Sequence, residues 1–147
     1  MPKYLLDTNA CIAVRDLKRG KLPNDPAGRD RLQRLQARLQ AVAAADIAMS
    51  AISMGELRFG ADKSGAPQKN HELLDKLGQL VTVMPLAEPV CRHYGQIRQF
   101  LEAQGQKIGP NDNWIAAHGR EAGCTVVTAN TGEFSRVPGL VIENWTQ

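Results

Sequence analysis

Five residues that can handle a metal ion or a proton stand at comparable places along this chain. Asp7 ends the apolar run Tyr4-Leu5-Leu6, Glu56 lies early in a helical stretch after Ile47-Ala48-Met49, and Asp112 sits where Gly109-Pro110 launches another helix. Asn130 and Glu133 follow the apolar run Cys124-Thr125-Val126-Val127-Thr128. Carboxylates gathered at one place bind hard, oxygen-seeking cations such as Mg²⁺ or Mn²⁺. A cation held there can polarise a phosphoryl oxygen or lower the pKa of a bound water. Without one, three packed carboxylates repel. Each residue also has a plainer reading. Asp7 and Asp112 suit the N-caps of the helices they precede, and Glu56 forms a Ser-x-x-Glu capping box with Ser53. Thr8 and Asn9 fit helix-start chemistry as well as the orientation of water or phosphate. Asn130 reads equally as a turn residue and Glu133 as a solvated charge.

Strands and helices must bring these positions together. Residues 3–6, 47–49, 80–84, 124–128 and 140–142 read as short strands, the last at a sheet edge. Helices are predicted from Thr8 to about Leu17, from Ala27 to Ala45, from Ser50 to Gly60, from Pro67 to about Gly78, from about Ala87 to Ala103, and from the 108–112 turn to Gly123. Residues 129–139 read as a loop with one helical turn. Strands separated by helices imply an α/β fold with a mainly parallel sheet of about five short strands, covered on both faces. In such a sheet the ligand lies beyond the carboxyl ends of the strands, where Asp7 stands. Right-handed crossovers bring the other strand ends to the same rim.

The 147 residues suit a single domain, 1–147, with apolar content of 43% and charged content of 22% that is globular rather than disordered. Cys11, Cys91 and Cys124 form no CxxC pair, and with His71, His93 and His118 they complete no zinc spacing. No apolar run approaches the roughly 18 residues of a membrane span, and no signal peptide is legible, so the expectation is a soluble, cytoplasmic protein. The formal charge of +3 tolerates an acidic partner without demonstrating one. Arg15, Lys18, Arg19, Lys21, Arg31, Arg34 and Arg38 are the cations able to offset an acidic site toward a polyanion. The Lys18–Lys21 loop ranks above the arginine helix because it is nearer Asp7 in sequence. Leu32, Leu35, Leu39 and Val42 repeat at helical spacing and serve either the core or a partner's amphipathic helix. His118 falls one or two turns beyond Asp112 and reads as packing or as support for that residue.

Taken in order, Leu5-Leu6-Asp7-Thr8-Asn9, Ser50 to Gly60, Gly95-Gln96-Ile97-Arg98, Ile108 to His118, Val127 to Phe134 and Val137 to Leu140 resemble the PIN-domain ribonucleases, most closely the VapC toxins of bacterial toxin–antitoxin pairs. The resemblance implies a three-layer PIN-like sandwich and metal-dependent endonucleolytic cleavage of RNA with Mg²⁺ or Mn²⁺. It places the family's three most typical acidic positions on Asp7, Glu56 and Asp112, of which Asp7 and Asp112 hold the ion and Glu56 ligates it or takes a proton from the attacking water. The fourth position, often an aspartate, falls on Asn130, which leaves open whether Glu133 supplies the missing charge. Thr8, Asn9 and Glu133 then support the site, and Lys18, Arg19 and Lys21 contact RNA. The resemblance further implies a homodimer and a VapB-like antitoxin that covers the extended loop and helix of residues 18–45. Two rivals remain. A catalytically weak or inactive PIN-fold binding module is suggested by Asn130. An aspartyl-phosphate phosphatase is disfavoured because Asn9 stands where its second aspartate belongs.

Overall fold

In the computed structural model, which describes residues 1–147, the strands are only two to four residues long and all run parallel. They are β1 (Tyr4–Leu6), β2 (Ile47–Ser50), β3 (Thr82–Met84), β4 (Thr125–Val127) and β5 (Ile142–Glu143). The seven helices are α1 (Thr8–Lys18), α2 (Pro26–Ala41), α3 (Ala51–Lys63), α4 (Pro67–Leu80), α5 (Glu88–Ala103), α6 (Pro110–Ala122) and α7 (Thr131–Phe134). Proline opens α2, α4, α5 and α6, where its missing N–H would have had no partner in the helix. Gly123 closes α6 at φ 69°, a left-handed conformation that favours glycine.

Alternation along the strands builds two cores. Leu6, Met49 and Val127 point to one face, against Cys11 and Val14 of α1, Leu32 and Leu35 of α2, Leu57 of α3 and Leu74 and Leu77 of α4. Leu5, Ala48 and Val126 point to the other, against Val90, Ile97 and Leu101 of α5 and Ile115, Ala116 and Ala117 of α6. Helices on both faces of a parallel sheet make the expected three-layer α/β sandwich. The leucine stripe of α2 is core: Leu32 and Leu35 are buried, and Leu39 and Val42 pack against the same cluster. Gly119 lets α6 approach β4 closely, since a Cβ there would stand 2.5 Å from Val126 Cγ2.

Strand order is β3-β2-β1-β4-β5. The chain builds outward from β1 to one side and then starts again on the other, so the switch point lies between β1 and β4. Ligands of open parallel sheets bind outside the strand ends at such a point.

Five boundaries differ most from the sequence reading. Helix α2 stops at Ala41, and a 3₁₀ turn at Ala44–Asp46 leads into β2. Helix α3 continues past Gly60 to Lys63, and α4 past Gly78 to Leu80, because neither glycine takes the positive φ of a helix stop. Consequently β3 starts at Thr82. Strand β5 is Ile142–Glu143 rather than 140–142, since only those two residues pair with Val126 and Val127.

Candidate active site at the sheet switch point

The residues after β1 and β4 face one another. Asp7 is 3% exposed, and its amide donates to Val127 O at 3.0 Å, pinning it between the two strands. Its Oδ1 accepts the Ala10 amide at 2.8 Å, so the N-cap role read from sequence is real. Burial pushes the Asp7 carboxyl above its ordinary range, the Thr128 hydroxyl and the Ala10 amide pull it down, and the charge of Glu56 pushes it up. An N-cap facing only solvent would meet neither the burial nor the second carboxylate.

Glu56 is not part of a capping box. The cap of α3 is Ser50, whose Oγ accepts the Ile52 amide at 3.1 Å. Glu56 Oε1 instead accepts the Thr8 hydroxyl at 2.6 Å, across 48 residues of chain. Thr8 Oγ1 is also 3.0 Å from Ser53 Oγ. A threonine hydroxyl has one proton, so once it donates to Glu56 it must accept from Ser53. This relay fixes α3 against the start of α1 and aims Glu56 at Asp7.

Asp112 lies in the first turn of α6 but does not cap it; the cap position is Gly109, without a side-chain bond. Its carboxyl is raised to about 6 by burial first, then by the charges of Glu133, Asp7 and Glu56. Carboxylates from the α1 cap, α3 and α7 therefore act on Asp112 at this rim. The one on α7 is Glu133. Asn130 donates its side-chain amide to Glu133 Oε2 and its backbone amide to Thr128 Oγ1 at 2.9 Å. Asn130 thus orients Glu133 and ties it to the strand end beside Asp7.

The donor set is all oxygen and mostly anionic, which fits a hard divalent cation. As placed, the side chains do not form a ready-made cluster of three at metal-ligand spacing. Burial first, and then the neighbouring carboxylates, raise the Asp112 carboxyl, and a cation would offset the repulsive part.

The remaining candidates spread out. Asn9 is exposed and lines a cleft of about 330 Å³ between α1 and α2 with Ile12, Ala13, Lys21, Leu22 and Leu32. Lys18 and Arg19 close the opposite end of α1, about 16 Å of helix from Thr8, and Arg19 is paired with Asp16 at 2.8 Å. Arg31 and Arg34 of α2, ranked lower from sequence, line an open groove of about 520 Å³ with Asn144, Thr146 and Ala129, the residue before Asn130. His118 is buried, with Nδ1 2.8 Å from Ser50 Oγ. Ser53 and Thr128, which hold Thr8 and Asn130, were missed as site residues; both follow strand ends closely, and that position was the available signal.

Comparison with known proteins agrees with this fold. The family model described as the PIN domain matches residues 4–140. The tRNA(fMet)-specific endonuclease VapC of Shigella flexneri is 35% identical over 147 residues, covering 99% of this chain and 100% of that protein. Ribonuclease VapC2 of Haemophilus influenzae is 36% identical over 145 residues, covering 99% of each. Among solved structures, DNA-bound VapBC from Salmonella typhimurium superposes with a TM-score of 0.83 at 34% identity, over 99% of both chains. VapBC2 from Rickettsia felis, bound to a promoter DNA fragment, gives 0.80 at 31% identity, over 97% of this chain and 98% of that one.

Proposed function

The chain belongs to the PIN-domain family, within its VapC group, and from that premise we propose that it is a toxin endoribonuclease using Mg²⁺ or Mn²⁺ at the rim formed by Asp7, Glu56 and Asp112. The observation that carries this reading is the gathering of Asp7, Glu56, Asp112 and Glu133 at the switch point of the sheet, with Thr8 holding Glu56 and Asn130 holding Glu133. Asp7 and Asp112 would hold the cation directly. When bound, such an ion stabilises charge on a phosphoryl oxygen and makes its water more acidic. Glu56, with Oε1 engaged by Thr8, keeps Oε2 to ligate the ion or to accept the proton of the attacking water. Glu133 supplies the charge that Asn130 lacks, and Asn130 holds it in place. That division of labour favours an active enzyme over an inactive binding module.

RNA is the proposed substrate, and a VapB-like antitoxin the proposed inhibitor. The relatives named VapBC support the second partner. The α1–α2 cleft fits it, because an apolar segment laid over Ile12, Ala13, Leu22 and Leu32 would end at Asn9, beside Asp7. A homodimer is proposed as well, supported by Phe59, 68% exposed on α3. No helix is long and apolar enough to cross a membrane, and the proposed place of action is the cytoplasm, where RNA is available.

The test is cleavage of total cellular RNA by the purified chain with Mg²⁺ or Mn²⁺, beside an EDTA control and Asp7→Asn. Asparagine still caps α1, so folding survives while the charge is lost. The expected result is discrete fragments from the wild type, none in EDTA, and a loss of at least about a hundredfold in the variant. Cleavage by Asp7→Asn at the wild-type rate would remove the rim from the reaction.

A further inference from the structure

After β5 the chain turns back over α2, and the segment that does so is held from several sides. The Thr128 amide donates to Glu143 O at 3.0 Å, at the start of the segment. Trp145 is buried, its Nε1 donates to Glu143 Oε1 at 3.0 Å, and its ring meets that of Tyr4 edge-on with centroids 5.0 Å apart. Arg34 Nη1 donates to Thr146 O at 3.4 Å.

Asn144 stands between these anchors. Its Oδ1 accepts the Thr146 amide at 2.9 Å and the Thr146 hydroxyl at 2.6 Å. A backbone amide can only donate, so the accepting atom is the side-chain oxygen and the other is the NH2 group. That nitrogen has no partner within the protein. It is open to solvent, because Asn144 is half-buried and the sole enclosed side-chain atom left unpaired is Asn113 Oδ1. A side chain fixed through its oxygen therefore offers its N–H groups outward.

The place of this donor gives it a use. Asn144 lines two depressions at once. One is a pocket of about 70 Å³ that it shares with Asn9, Ala10 and Thr128. The pocket touches the acidic rim directly: the Ala10 amide donates to Asp7 Oδ1 at 2.8 Å, and Thr128 Oγ1 accepts the Asn130 amide at 2.9 Å. The other depression is the open groove that carries Arg31 and Arg34, with Asp30 also on its wall. Ala129 and Thr146 border both. Asn144 thus marks the passage from the rim to the arginines.

The chemistry selects what the amide meets. Asparagine reads a base edge by donating and accepting together, and here the oxygen is already engaged twice by Thr146. A donor alone, beside two guanidinium groups, suits an oxygen that only accepts, and phosphate is the commonest such partner in nucleic acids. We propose that Asn144 is an RNA-backbone contact, donating from Nδ2 to a phosphate oxygen of a nucleotide that flanks the cut. It holds the strand between the rim and the groove. The contact rests on the ribonuclease reading of the rim and deepens it.

The experiment is steady-state cleavage of a single-stranded RNA with one mapped cut, by wild type, Asn144→Asp and Asn144→Ala. Aspartate keeps the size of asparagine and can still accept both Thr146 bonds, so the fold survives; thermal melting checks this. It also sets a carboxylate where the donor stood. Asn144→Asp should raise KM at least about tenfold and leave kcat within about twofold. Asn144→Ala removes the donor without adding charge, should raise KM about threefold, and serves alone if the aspartate variant does not fold. The same RNA is then made with a methylphosphonate, which lacks the charge and one oxygen, at each linkage beside the cut in turn. At one linkage the wild type should show a KM penalty of about tenfold, and both variants should show almost none. An unchanged KM in the variants, a fall in kcat alone, or the same penalty in all three proteins overturns the contact and leaves the rim standing. Absence of any cleavage by the wild type overturns the rim and the contact together.

Discussion

At the scale of single residues, the cost of assembling the acidic rim can be measured apart from its activity. Asp112 has a folded pKa of about 6 against an ordinary 3.8, so the folded protein binds its proton more tightly than the unfolded chain does. The sign follows from linkage. Above pH 6 the ionised carboxylate destabilises the ion-free protein, and the penalty is relieved as pH falls from about 6 to 3.8. Asp112 is only half-buried, so solvent screening reduces the penalty to about 1 kcal/mol. The ion-free Asp112→Asn variant should therefore melt a few degrees above the wild type at pH 7.5, with the gap closing toward pH 4. Taking the difference between the two proteins cancels His118, whose pKa burial lowers and whose titration acts in the opposite direction over the same range. A gap independent of pH would mean that neither burial nor its acidic neighbours shift Asp112. Added Mg²⁺ or Mn²⁺ should reverse the order, because only the wild type offers the full donor set.

At the scale of elements, Glu56 and Asp112 are useful only if α3 and α6 keep their spacing, and one buried bond spans that gap. Ser50 Oγ accepts the Ile52 amide and meets His118 Nδ1 at 2.8 Å. Burial lowers the His118 pKa, which favours the neutral imidazole, and a single hydrogen bond joins its Nδ1 to the serine hydroxyl. Ser50→Ala should lose the α3 cap and strand the imidazole nitrogen, costing about 1–3 kcal/mol. In a double-mutant cycle with His118→Ala, urea denaturation should show coupling of about 0.5–3 kcal/mol, and additivity within about 0.3 kcal/mol would deny the link. None of this pairing was visible in the sequence. The strand–Asp7–helix unit was, because a buried run stopped by Asp-Thr-Asn is written in consecutive residues. Ser53 and Glu56 sit at capping-box spacing, and nothing local says that Glu56 turns to Thr8 instead. Asn130 and Glu133 are three apart in a helix of a single turn, too short for periodicity to reveal that one amide orients one carboxylate. Trp145, fully buried against the α2 core, is a lone aromatic in a polar stretch and carried no pattern at all.

At the scale of the whole molecule, an acidic rim must draw in a polyanion, and the placement of cations decides how. A net charge of +3 gives little general attraction, so local charge has to do it. The final residues fold back over α2: Arg38 pairs with Glu143 at 2.6 Å and lies over the Trp145 ring, while Arg34 Nη1 reaches Thr146 O at 3.4 Å. That packing brings Arg31 and Arg34 to a groove that opens at Ala129, one residue from Asn130, whereas Lys18 and Arg19 end α1 on the far side. We propose this groove, which Asp30 also lines, as the approach for an RNA strand. Binding can be followed with the cleavage-deficient Asp7→Asn protein, which separates affinity from turnover. For a single strand, each phosphate that the protein ceases to neutralise lowers the slope of log affinity against log salt by about 0.7. Arg31→Gln with Arg34→Gln should reduce that slope by about 1.4 and weaken binding most at low salt. Lys18→Gln with Arg19→Gln removes the same formal charge and should change the slope by less than half as much. Equal effects from the two pairs would mean that RNA senses only the net charge. A larger effect from Lys18 and Arg19 would place the strand along α1 and return the groove beside Ala129 to bulk solvent.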